Sequence, residues 1–92
     1  MEDNSIFVGD KPFMNYVTGI VMQFTTKEAQ TVIVKARGKF ITRAVDIVET
    51  SIKRFLQGKI HVSSVRIDSE EIQNKEGKDV RVSTIEITLA RL

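Results

Sequence analysis

Two rhythms of apolar residues alternate along the chain, one with helical spacing and one with the two-residue spacing of a strand. Ser5 to Val8 reads as a short buried strand ended by Gly9, and Pro12 sits where the first turn of a helix tolerates a missing N–H. Phe13, Tyr16, Val17, Ile20, Val21 and Phe24 then recur at the i, i+3, i+4, i+7, i+8, i+11 spacing of one helix face. That spacing predicts a core-facing stripe, so these aromatics read as packing and not as a base-stacking platform. Thr31-Val32-Ile33-Val34 is β-branched throughout and predicts a second strand. Arg37-Gly38 interrupts it, and a second stripe follows in Ile41, Ala44, Val45, Val48, Ile52, Phe55 and Leu56. Gly58 supplies the left-handed residue that commonly ends a helix, which leaves a helix of about four to five turns.

Beyond Gly58 the apolar residues alternate, but both remaining strands change phase. Ile60 and Val62 fall on even positions and Val65 and Ile67 on odd ones; Val80 and Val82 are followed by Ile85, Ile87 and Leu89. A shift at Ser63-Ser64 facing one at Ser83-Thr84 predicts paired antiparallel strands that bend or bulge together, joined through the polar stretch Gln73 to Asp79. The expected fold class is α+β, a single domain over residues 1–92: a two-layer β-α-β-α-β-β sandwich. Its four-stranded mixed sheet has strand four antiparallel and both helices on one face. Each crossover should be right-handed and join parallel strands. The loops after strands one, two and three should therefore leave the same end of the sheet.

That geometry gives the charges their meaning. Formal net charge is only +2, although the pI is about 9.1. The expected loops carry Lys11, then Arg37 and Lys39, then Lys75, Lys78 and Arg81, while Lys35 to Arg43 contains four cations and no acid. The same end holds both helix N-termini, where free N–H groups and the helix dipole favour an anion. Phosphate is the natural ligand. No G-x-G-x-x-G or G-x-x-x-x-G-K-[ST] pattern is present, so an extended polyanion fits better than a nucleotide cofactor, and no cofactor is expected. The hairpin shows no aromatic or apolar wedge at its tip, which suits backbone tracking with little base readout.

Composition narrows the class further. Apolar residues make up 41% and charged residues 28%, too hydrophobic for a disordered chain. With no cysteine, a chain of this size has neither disulfides nor a thiolate metal cage, and oligomerisation is the expected substitute. Apolar runs such as Ile6-Phe7-Val8 are short and Met1-Glu2-Asp3-Asn4 is acidic, so no membrane or secretion signal is read and a cytoplasmic location is expected. Catalysis is disfavoured. His61 is the only histidine and lies on an expected strand, and Glu70 and Glu71 as neighbours on a strand should point to opposite faces. Asp46 and Glu49 are expected to pair with Arg43, Lys53 or Arg54 on the helix surface. Periodicity alone leaves Phe55 open between core and interface.

Three segments resemble the Alba family: Gly9-Asp10-Lys11-Pro12-Phe13-Met14-Asn15-Tyr16-Val17, Lys35-Ala36-Arg37-Gly38-Lys39-Phe40-Ile41-Thr42-Arg43-Ala44-Val45-Asp46, and Val82-Ser83-Thr84-Ile85-Glu86-Ile87. The resemblance runs from Ile6 to Arg91. It implies an archaeal chromatin protein, a homodimer that coats double-stranded DNA with little sequence preference, is associated with the chromosome, and also binds RNA. It further implies that Lys11 and the Arg37-Gly38-Lys39 turn face the DNA backbone with help from Arg43. The Lys75 to Arg81 hairpin would reach along the minor groove, and Asn15, Tyr16 and Lys35 are counted with the same surface. Arg54 and Phe55 match an Arg-Phe pair expected to join neighbouring dimers side by side. Family members commonly carry two lysines before the proline, the first a site of charge-removing acetylation; here Asp10 occupies that place, leaving Lys11 for such a switch. Alternatives that remain are an RNA-binding or ribonucleoprotein subunit and a small ligand-binding regulatory domain.

Overall fold

The computed structural model describes residues 4–92. In chain order the elements are β1 (Ser5–Phe7), α1 (Phe13–Thr25), β2 (Thr31–Arg37), α2 (Ile41–Thr50), β3 (Ile60–Gln73) and β4 (Asp79–Arg91). A 3-10 turn, Gly38–Phe40, leads into α2, and a π-helical turn, Ser51–Phe55, closes it. The sheet runs β1-β2-β4-β3, with β1 parallel to β2 and β4 antiparallel to both its neighbours. Strands β1, β2 and β3 thus share one direction, as the crossover rule demands. β2 accompanies β4 only from Thr31↔Ala90 to Arg37↔Thr84, whereas β3 follows it to Gln73↔Asp79. Past Thr84 the hairpin continues as a two-stranded arm, and the molecule is 45 Å long against 24 and 23 Å across.

The core lies between the helices and one sheet face. Val32, Val34 and Ala36 of β2 and Ile85, Ile87 and Leu89 of β4 meet Tyr16, Val17, Ile20 and Phe24 of α1 and Ala44, Ile47 and Val48 of α2. Each large aliphatic side chain taken out of water contributes about 1.5–3 kcal/mol. The α1 stripe packs as its spacing predicts, with Phe13 and Val21 at its half-buried edges. In α2 the buried row is instead Ala44, Ile47, Val48 and Ser51, and Val45 is exposed. The expected stripe missed Ile47 because its polar neighbour in the row, Ser51, hid the phase. Buried Ser51 is satisfied by donating its hydroxyl to the Ile47 carbonyl at 2.8 Å. The closing turn widens as the Leu56 N–H reaches back to both Ser51 and Ile52 carbonyls at 3.1 Å. Leu56 enters the core while Phe55 stays exposed.

The shared bend expected of β3 and β4 does not occur. A single irregularity falls between Val62 and Ser64, opposite Leu89 and Thr88, and the ladder runs unbroken through Asp68↔Thr84 and Ser69↔Ser83. The extra residue, Ser63, keeps Val62 and Val65 on the same face despite their spacing. In β4 the phase change has another cause. Ile85, Ile87 and Leu89 face the helices, while Val80 and Val82 lie on the opposite face of the arm, where no helix covers the strand. The helix-surface ion pairs expected of Asp46 and Glu49 are also absent among the described residues: the pairs present involve only Lys35, Arg37, Arg66 and their carboxylate partners.

Candidate nucleic-acid interface

Shared strand direction brings the cationic loops to one rim. The Gly9–Pro12 loop leaves β1, the Gly38–Phe40 turn leaves β2, and the Asn74–Lys78 turn ends the arm that leaves β3. Lys11 and Lys39 are exposed at the rim; the Lys39 ammonium lies 5.3 Å from the centroid of the Phe40 ring. Gly38 adopts φ 58°, a left-handed conformation that carries the chain from β2 straight into the helical turn. At the arm tip the Asn74 side-chain oxygen accepts from the Glu76 and Lys78 N–H groups at 2.9 and 3.0 Å. This Asx-type bonding holds the turn that presents exposed Lys75 and Lys78. Arg81 follows on β4, exposed and directly opposite Glu71. Among the described residues neither helix has a side-chain N-cap bond or an acid in its first turn, although exposed Asp10 lies in the loop that leads into α1. Gln73 to Asp79 at the tip carry no apolar side chain, and the first apolar pair behind them is Ile72 opposite Val80.

Several residues expected at this surface are already engaged. Tyr16 is only 8% exposed, and its hydroxyl accepts from the Gly9 N–H at 2.9 Å and the Lys11 N–H at 3.2 Å. Arg43 donates to the Gly9 carbonyl, with its guanidinium 5.7 Å from the Tyr16 ring centroid. Arg37 is 3.5 Å from the Glu70 carboxylate. Lys35 lies one row further onto the helix-free sheet face, in a line Phe7, Lys35, Glu86, Arg66 drawn across all four strands. There it meets Glu86 at 3.9 Å and the Phe7 ring at 5.3 Å, while Arg66 bridges Glu86 and Asp68 at 3.5 Å each. The rim therefore gathers Lys11, Arg37, Gly38 and Lys39, with exposed Asn15 in the adjoining first turn of α1 and Lys75, Lys78 and Arg81 along the arm. Lys35 is set apart from them. Glu70 and Glu86 were not anticipated as partners, since cross-strand pairing depends on register between segments distant in sequence.

A recess of about 480 Å³ opens among Phe7, Lys35, Arg37, Phe40, Glu70 and Glu86. Its charged groups already pair with one another across the sheet. Glu70 and Glu71 lie on opposite faces, as strand geometry requires: Glu70 reaches Arg37, and Glu71 stands across from Arg81. His61 is exposed on β3 opposite Ala90. Among the described residues no helix is long and apolar enough to cross a membrane.

These features define a two-layer α+β protein with a cationic rim and a projecting β-arm. The chain belongs to the Alba family, whose model, described simply as Alba, matches residues 4–69. It is 47% identical to the DNA/RNA-binding protein Alba of Methanococcus maripaludis over 87 residues, covering 95% of this chain and 97% of that one. It is 46% identical to the DNA/RNA-binding protein Alba 1 of Archaeoglobus fulgidus over 91 residues, covering 99% of each. The solved structure of Alba from Thermoplasma volcanium superposes with a TM-score of 0.88 at 45% identity, covering 96% of this chain and all of that one. Trypanosoma brucei ALBA1 shares the fold, with a TM-score of 0.73 at 22% identity.

Proposed function

We propose that this protein is a dimeric, non-enzymatic nucleoid protein that binds double-stranded DNA, and also RNA, through backbone phosphates with little sequence preference. The observation that carries this is the emergence of three cationic loops from a single rim, beside two uncapped helix N-termini. Its relatives' names, DNA/RNA-binding protein Alba, support the same partners. Lys11, Lys39, Lys75, Lys78 and Arg81 contact phosphate directly, and Arg37 does so after leaving Glu70. The protein works in the cytoplasm on the chromosome. Exposed Lys11 is the site at which acetylation would remove one rim charge.

The sheet edge supports the homodimer. Val62, Val65 and Ile67 of β3 stand opposite buried Leu89, Ile87 and Ile85 on the helix-side face, yet no helix covers them and Ile67 is 77% exposed. An apolar row of this kind fits a second copy of the same surface. Phe55 and Arg54 join dimers side by side, a role supported by their exposure on the closing turn of α2. Titrating affinity against salt on unrelated duplexes, with a matched RNA, tests the reading. With three to five phosphate contacts per protomer, the log–log slope on duplex DNA should be roughly −5 to −9. A slope near zero, or strong dependence on duplex sequence, would refute it.

A further inference from the structure

Two residues expected to touch nucleic acid are occupied in holding the loop that carries Lys11. The Gly9–Pro12 loop lies outside every regular element, so its polar main-chain groups need partners from elsewhere. Two helices supply them. From α1, the Tyr16 hydroxyl receives the N–H groups of both Gly9 and Lys11. From α2, Arg43 donates to the Gly9 carbonyl, so Gly9 is held by both its main-chain groups. The Arg43 guanidinium also lies over the Tyr16 ring, tying the two braces into one unit. Tyr16 is nearly buried and Arg43 half-buried, whereas Lys11 stands in solvent.

We infer that Tyr16 and Arg43 are positioning residues, which set the direction in which Lys11 leaves the rim and act on nucleic acid through that lysine, without phosphate contacts of their own. The inference rests on the binding role proposed above. A loop held in advance loses less freedom when a phosphate docks, so the brace contributes to affinity although neither side chain touches the ligand. It also gives Arg43 a role that differs from its expected one as an auxiliary phosphate cation.

The test uses the full chain and its variants Tyr16→Phe, Arg43→Gln, Lys11→Ala and Lys78→Ala, with affinity on a random duplex measured across a salt series. Tyr16→Phe removes no charge, yet it should weaken binding and reduce the salt slope by up to about one per protomer, as though a phosphate contact were lost. In the Lys11→Ala background, neither Tyr16→Phe nor Arg43→Gln should cause further loss; in the Lys78→Ala background both should act in full. Amide hydrogen exchange at Gly9 and Lys11 should quicken in Tyr16→Phe while exchange in the core strands stays slow. Unchanged affinity and slope in Tyr16→Phe would overturn the inference. So would an Arg43→Gln loss equally large with and without Lys11, which would give Arg43 its own phosphate. A wild-type protein whose binding ignores salt would instead overturn the phosphate-binding role beneath the inference, and the exchange measurement reads the brace independently of binding.

Discussion

A phosphate at Arg37 competes with Glu70 for the same guanidinium charge, and this competition has a measurable size. The guanidinium and carboxylate are 3.5 Å apart, with side chains 58% and 54% exposed. Exposed pairs of this kind are worth about 0.2–1 kcal/mol. Glu70→Gln keeps the side chain's shape, removes the competing charge and leaves Arg37 free. At about 0.5 kcal/mol per protomer, a dimer using both arginines would gain about 1 kcal/mol, or roughly fivefold in affinity. Removing any acid also raises the overall positive field, so a control must make the same charge change without freeing Arg37. Glu71→Gln does this: Glu71 is the next residue on the strand, lies on the other face, and makes no ion pair among the described residues. Fluorescence anisotropy of a labelled random duplex at fixed low salt compares the three proteins. Glu70→Gln should bind tighter than Glu71→Gln, and the gap should narrow as salt rises. Equal affinities for the two variants, or weaker binding by Glu70→Gln, would refute the competition.

Other outcomes follow from single residues. Ile67→Lys places a charge at the most exposed position of the uncovered β3 row and should convert the dimer to a monomer in sedimentation experiments; a variant that stays dimeric would remove this face as the interface. Phe55→Ala should leave affinity on a duplex long enough for one dimer unchanged and abolish cooperative filling of long duplexes. Because Phe55 is 49% exposed, its loss should alter folding stability by no more than about 0.5–1 kcal/mol. Gly38→Ala should lower stability by about 1–2 kcal/mol in urea unfolding, through the left-handed backbone alone. A methyl group there would meet Val82 only at an ordinary 3.6 Å, so a wild-type midpoint would contradict the strain argument.

Element types and most of the core are local matters, which is why periodicity reveals them. The helical spacing of Tyr16, Val17, Ile20 and Phe24 and the β-branched run Thr31 to Val34 each encode an element within a few residues, and the left-handed glycines at 38 and 58 mark turns. Strand direction followed from the single helix between successive strands, which carries the chain back so that the next strand runs the same way, and with it the gathering of the cationic loops on one rim. Local spacing misled where a polar residue entered the core or a strand outran the helices. Ser51 masked the true phase of α2; the irregularity expected at Ser63-Ser64 is present in β3, but in β4 the apolar residues change phase because Val80 and Val82 lie on the opposite face from Ile85, Ile87 and Leu89.

The chain's own order of residues thus determined which cations exist and which end of the sheet they occupy. Only tertiary structure decided which of them are free. Lys35 and Arg37 meet carboxylates 51 and 33 positions away, and Arg43 reaches a carbonyl 34 positions away. Such partners are chosen by strand register and helix packing, and a slip of one residue would send Glu70 and Glu86 to the other face. Charge is a property of the residue; its availability depends on what the fold brings within a few ångströms.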